Sequence, residues 1–192
     1  MKRFLIPLAL LVVGGCAQAE TPNSDNARQV LKIHPPATPP PKVTVRRSCD
    51  NLRETMVLFK TDKVNKFGNP LWALMLPNCR AYTAVVGRAH TQNLDRNKSG
   101  NQSPLPPGVY RVGQVHDVRG LEPELGNTIF IDLVPTFRTE RTDLGIHWDP
   151  SFNRDKTKDG TAACIALTNA ADLDAVNDAI KRFGIHTLMV VK

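Results

Sequence analysis

Two residues of this chain combine side chains suited to nucleophilic chemistry with a spacing that can bring them together. In "GIHWDPSFNRDKTKDGTAACIAL", Gly145 to Leu167, His147 and Cys164 stand seventeen positions apart, each within a short apolar run. A thiol with an ordinary pKa of about 8.5 is only a few per cent thiolate at neutral pH. A histidine beside it can lower that value as an imidazolium, or accept the thiol proton and return it to a leaving group. The spacing is too long for a shared helix face, but it suits two adjacent strand ends joined by the polar loop "DPSFNRDKTKD". The competing reading is a pair of buried core residues, since cysteine before isoleucine commonly behaves as a small apolar side chain.

The N-terminus bears on that choice. Met1-Lys2-Arg3 is basic, Phe4 to Val13 is apolar, and small residues follow from Gly14 to Ala19, the layout of a secretory signal peptide over residues 1–19. The apolar run is about half the ~20 residues a membrane-spanning helix needs. Two cleavages compete: Ala17-Gln18-Ala19 reads as a site cut before Glu20, and Val13-Gly14-Gly15-Cys16 resembles a bacterial lipobox, in which Cys16 would be acylated and tie the protein to a membrane. Either way the chain is expected to be exported, to the periplasm or cell envelope. Cys49, Cys79 and Cys164 then enter an oxidising space. The simplest partition is a Cys49–Cys79 disulfide that leaves Cys164 as a thiol, although sequence does not supply the geometry of a bridge.

Residues 20–48 concentrate prolines in "HPPATPPPK" with few apolar neighbours, which reads as an extended linker. Residues 49–192 have the usual size of one domain. Their pattern is mainly β. "LWALML" and "AYTAVVG" flank a "PN" turn as a hairpin, "GVYRVGQV" and "NTIFIDLV" are further strands, and "HTLMVV" is a last one. "RAHTQNLDRNKSGNQ" has no periodicity and is expected to be an exposed loop. "NAADLDAVNDAIKRFG" is the one clear helix, with Leu173, Val176, Ile180 and Phe183 on one face, acidic residues early, Lys181 and Arg182 late, and Gly184 as its stop.

Other chemistry is sparse. There is no glycine-rich phosphate loop, no CxxC and no paired-histidine zinc spacing, so neither cofactor nor metal is implied. His34 falls in the linker, and His90, His116 and His186 carry no motif and read as structural or solvated. Asp149, Arg154, Lys156 and Lys158 read as a solvated charged loop, and Tyr110 as core. The net charge of +7 drops to +5 once Lys2 and Arg3 leave with the signal, a balance that attracts anionic wall polymers. No basic helix or stacking motif points to nucleic acid.

The order of the pieces, a hairpin, a polar loop, "SPLPPGVYRV", "GIH", "GTAACIAL", a helix and a terminal strand, resembles the catalytic domain of the L,D-transpeptidases, the YkuD-like family, over roughly residues 71–192. The resemblance implies an L,D-transpeptidase-like β-sandwich with one main helix after the cysteine, and a monomer whose substrate is the peptidoglycan stem peptide. It assigns Cys164 as nucleophile, His147 as base with a main-chain carbonyl near Trp148 fixing its tautomer, Thr161 in the place of a serine, and backbone N–H groups around Ala163 and Cys164 as the oxyanion site. An amine acceptor gives a cross-link and water gives hydrolysis. This chain departs from the family at Trp148 and Ala163, where glycines are usual, and at Ala166, where an arginine is usual. Ala163 adds a methyl group and resists positive φ; Ala166 removes a cation that could hold a substrate carboxylate. A carboxypeptidase or endopeptidase of the same fold, or a noncatalytic wall-binding envelope protein, are the alternatives.

Overall fold

Strand-forming runs such as "PLWALM", "IFIDLVP" and "TLMV" bury alternate side chains, the pattern of a sheet with one face in a core. The computed structural model describes residues 52–192; the segments expected to be a signal peptide (1–19) and a linker (20–48), with Cys16 and Cys49, lie outside the described residues. The strands are β1 (Thr55–Val64), β2 (Pro70–Met75), β3 (Ala81–Val86), β4 (Gly108–Asp117), β5 (Ile129–Pro135), β6 (Gly145–Trp148), β7 (Ile165–Leu167) and β8 (Thr187–Val190), and the helix α1 is Ala170–Phe183.

The expected mainly β class with one helix holds. The strands join in a single closed barrel in the order β1-β2-β3-β7-β6-β5-β4-β8. Two of its junctions are parallel, β1 with β8 and β6 with β7. Parallel neighbours need a crossover connection; between β6 and β7 that crossover is the segment 149–164, which ends at the cysteine.

Met56 and Leu58 of β1, Trp72 and Leu74 of β2, Ala84 and Val86 of β3, Tyr110 of β4, Ile131 and Leu133 of β5, Ile146 of β6, Ile165 and Leu167 of β7, and Leu188 and Val190 of β8 form one buried cluster. Helix α1 adds Leu173, Val176 and Ala179 to it, with Ile180 and Phe183 packed alongside. The side chain of Asn169 caps the helix by accepting from the Asp172 amide at 2.8 Å, and Gly184 closes it at φ 63°. Tyr110 is core as expected: it is fully buried, donates to the Pro106 carbonyl at 2.7 Å and meets Phe137 edge to face.

Two expectations need revision. Strand β1 has no counterpart in the sequence reading, because only Met56 to Leu58 of its ten residues are buried and the rest, "FKTDKV", carries four polar side chains between Phe59 and Val64 and is mostly exposed. The segment 88–102 is not simply an exposed loop. Thr91 is buried with its hydroxyl donating to the Gln102 carbonyl at 2.6 Å, and Arg96 lies over the Trp72 ring at 5.3 Å while reaching the Leu105 carbonyl. Burial lowers the Arg96 guanidinium to about 10. Arg141, also buried, clamps the same segment through the Arg96 carbonyl at 3.1 Å, Asn101 Oδ1 at 2.6 Å and the Ser103 hydroxyl.

Candidate functional site

Parallel pairing of β6 with β7 sets the geometry of the site. His147 stands opposite Ala166. Cys164 lies two positions before Ala166, just ahead of β7, so its side chain leaves on the same side as His147 by the two-residue period of a strand. Both residues are buried, at 4% and 3% exposure, yet both line one cleft of about 760 Å³, with Asp143, Asp149, Lys158, Thr161 and Arg88 among the other walls. The sequence-predicted pair is therefore brought to one cavity.

The imidazole is held from two directions. Nδ1 donates to the Trp148 carbonyl at 2.8 Å, which leaves Nε2 as the acceptor, the tautomer a general base needs. The ring of Phe130 stacks on it at a centroid distance of 6.2 Å and 18° between planes. Gly145 makes that possible: a Cβ there would run into the Phe130 ring and the Ile131 carbonyl. Burial pushes the His147 pKa below its ordinary value of 6.5, only partly opposed by the Trp148 carbonyl and the charge of Asp149. The resting imidazole is consequently neutral. The thiol agrees with this, since Sγ donates to the Asp143 carbonyl at 3.6 Å. A preformed imidazolium is thus disfavoured by desolvation.

The depressed histidine pKa has a sign that can be tested. The folded state favours the neutral ring, so its stabilisation is complete above about pH 6.5, the unfolded value, and is lost as pH falls toward the folded pKa. Thermal unfolding followed from pH 8 to 4 is expected to show a Tm loss beginning below 6.5 that is smaller in His147→Phe. The acid limb of Cys164 reactivity should likewise lie below 6.5.

The turn before β7 is fixed by Thr161. Its hydroxyl donates to the Cys164 carbonyl at 2.7 Å and accepts from the Gly87 amide at 3.1 Å, while its own amide donates to the Gly87 carbonyl at 3.2 Å. Thr161 thus positions the cysteine's backbone against the end of β3. Gly160 precedes it at φ 94°, and a Cβ there would strike the Gly87 carbonyl, so the close approach of the two chains requires glycine. Ala163 adopts φ 104° in spite of its methyl group, which is buried in the core rather than in the cleft; Ala162 supplies the cleft wall instead. A conformation that favours glycine is therefore held by an alanine, in strained form. Ala163→Gly is expected to cost less than about 1 kcal/mol, because relief of positive φ offsets the lost methyl, whereas Ala163→Val should cost about 2–4 kcal/mol. Denaturant midpoints of the two variants check this.

Trp148 contributes its carbonyl; its ring packs over Gly126, where a Cβ would come within 2.6 Å, and does not line the cleft. Ala166 is fully buried in register between Val85 and His147. Cys79 is disulfide-bonded, and Cys49, its expected partner, lies outside the described residues. His90 is exposed, and His186 is exposed and pairs with Glu54 at 2.6 Å.

Sequence reasoning missed the groups that shape the 149–160 crossover. Asp149, read as a solvated charge, is buried: Oδ1 accepts from the Ser151 amide at 2.7 Å and Oδ2 from the Gly160 amide at 3.1 Å. Asp159 is buried too, taking the Asn153 amide at 3.0 Å on one oxygen and Asn65 Nδ2 at 2.7 Å and Asn69 Nδ2 at 3.3 Å on the other. The turn formers in "NKFGN" mark a loop, but nothing in the sequence links them to a carboxylate ninety positions away. Arg154, Lys156 and Lys158 are exposed as expected.

Among the described residues no cluster of three or more His, Cys, Asp or Glu side chains could hold a metal ion, and no helix is long and apolar enough to cross a membrane. Comparison of the chain with protein-family models, curated proteins and solved structures finds no match.

Proposed function

We propose that this chain is an exported cysteine acyltransferase of the L,D-transpeptidase kind, acting on peptidoglycan stem peptides through a thioester on Cys164. The observation that carries the reading is the convergence of Cys164 and a neutral, tautomer-fixed His147 on one cleft across a parallel strand pair. The motif order described above supplies the substrate class. The closed barrel is, on this reading, the form that the family's β-sandwich takes here.

In the first half-reaction Cys164 Sγ attacks a stem-peptide carbonyl and His147 Nε2 takes the thiol proton. The C–S bond forms, the C–N bond breaks, and the amine departs with the proton from His147. Backbone N–H groups of the Ala163–Cys164 turn meet the oxyanion, held in place by the Thr161 bonds to Cys164 and Gly87. In the second half-reaction an amine or water attacks the thioester and Cys164 recovers its proton. The protein works in the periplasm or envelope as a monomer, with Cys16 as its lipid anchor if the lipobox is used.

Incubating the purified protein with defined muropeptides and reading product masses tests the proposal. A cross-linked dimer or an exchanged terminal residue supports it. Unchanged muropeptides, together with a Cys164 thiol no more reactive than a model thiol, would leave the wall-binding alternative.

A further inference from the structure

The cleft holds a second histidine that the mechanism above does not use. His116 Nε2 lies 2.8 Å from Asp132 Oδ2, and both side chains line the cleft that contains His147 and Cys164. The backbone places them there by a specific irregularity. Strands β4 and β5 pair Val112 with Leu133 and then, after a one-residue register shift, Val115 with Ile131 and His116 with Phe130. Without the extra residue His116 would stand opposite Ile129, on the face of Ile131 and Leu133 that forms the core. The bulge turns it to the face of Phe130, whose ring stacks on His147.

Asp132 is accommodated by its neighbours on both sides. On β4, a Cβ at Gly113 would come within 2.7 Å of the Asp132 Cβ. On β6, Asp132 pairs in register with Gly145. Two glycines thus flank the carboxylate; the Phe130 ring lies over Gly145, and His116, Asp132, Phe130 and His147 together line one wall of the cleft. The pair stays solvent-accessible, at 47% and 36% side-chain exposure.

We propose that His116 and Asp132 form the acceptor subsite, holding the incoming amine and taking its proton during the second half-reaction; this rests on the acyl-transfer reading above. An amine arrives as an ammonium ion and must lose a proton to attack. The Asp132 carboxylate attracts the ammonium. With Nε2–H directed to Asp132, His116 Nδ1 is the acceptor that takes the proton. The amine lone pair then forms a C–N bond to the thioester carbonyl, the C–S bond breaks, and Cys164 leaves as a thiolate. The second amine proton, passed through His147, restores the thiol. Water, being neutral, has no charge for Asp132 to hold, so the pair favours transfer over hydrolysis.

The test separates the two halves. Wild type, His116→Gln and Asp132→Asn are given a defined tetrapeptide stem as donor and a diamino acid as amine acceptor. Thioester formation is followed by intact mass and products by chromatography. Both variants are expected to form the Cys164 thioester at a rate within about twofold of wild type, to lose aminolysis by about tenfold or more, and to show a larger hydrolysed share. Wild-type partition between amine and water in both variants would overturn the subsite while leaving the thioester reading intact. Absence of a thioester in wild type would overturn both.

Discussion

Cys164→Ala is expected to abolish turnover of muropeptides, with a loss of at least about 10⁴-fold, the scale seen when the nucleophile of a catalytic unit is removed. The fold should survive, because the side chain is small and Thr161 contacts the backbone carbonyl of residue 164 rather than the thiol. Cys164→Ser, which keeps the shape but raises the nucleophile's pKa, is expected to fall nearly as far. His147→Gln should lose about 10²–10⁴-fold while still allowing slow alkylation of Cys164. Product analysis after extended incubation, with circular dichroism to confirm folding, checks all three. Equal turnover by wild type and Cys164→Ala would remove the cysteine from the chemistry.

The second large effect is expected far from the thiol, at Asp159. Its two oxygens collect Asn153, Asn65 and Asn69 and so fasten the crossover 149–160 to the β1–β2 connection. Asp159→Ala takes the acceptor from the buried Asn65 amide and from the Asn153 N–H and leaves Asn69 only the Gly87 carbonyl at 3.4 Å, which should cost about 3 kcal/mol. For a domain of this size that corresponds to a Tm drop of about 10 °C. Lys158, Gly160 and Thr161 flank it in the cleft wall, so acyl transfer should fall with stability, and amide exchange should rise first in 149–160. Asp159→Asn is expected to recover part of the loss. A calorimetric scan of both variants decides the matter, and an unchanged Tm in Asp159→Ala would mean that the crossover is held by its other bonds, Asp149 to Gly160, Arg88 to the Thr157 carbonyl and Lys66 to Asn153.

The reach of the sequence is clearest at particular residues. Strands β2, β3, β5 and β8 and helix α1 were legible because each carries its own periodicity, and the helix also its stop at Gly184; the Asn169 cap emerged only from the structure. The His147–Cys164 pair was legible because both residues sit on short apolar runs whose spacing suits adjacent strand ends. Three things were not. Strand β1 hides its second half behind polar residues. Closure into a barrel depends on the pairing of β1 with β8, a contact between the two ends of the domain that no local pattern encodes. The positioning groups, Asp159 with Asn65 and Asn69, Phe130 over Gly145, and the bulge that turns His116, are long-range partners whose types are ordinary in loops and strands.

Ala163 shows the same limit in reverse. The missing glycine suggests an altered turn, yet the backbone keeps a positive φ there and the methyl group is absorbed by the core. Local propensity is overridden because Gly87 and Thr161 hold the flanking chain on one side and β7 pairs on the other.

The central claim is that Cys164 forms a thioester with a stem peptide, with His147 as its base. It is tested most directly by intact mass of the protein after brief mixing with a defined tetrapeptide stem and acid quench. The expected result is an adduct whose mass equals the acyl donor less its leaving amine, mapped to Cys164, absent in Cys164→Ala and formed much more slowly in His147→Gln. No adduct at any time point, or an adduct that persists in Cys164→Ala, would contradict it.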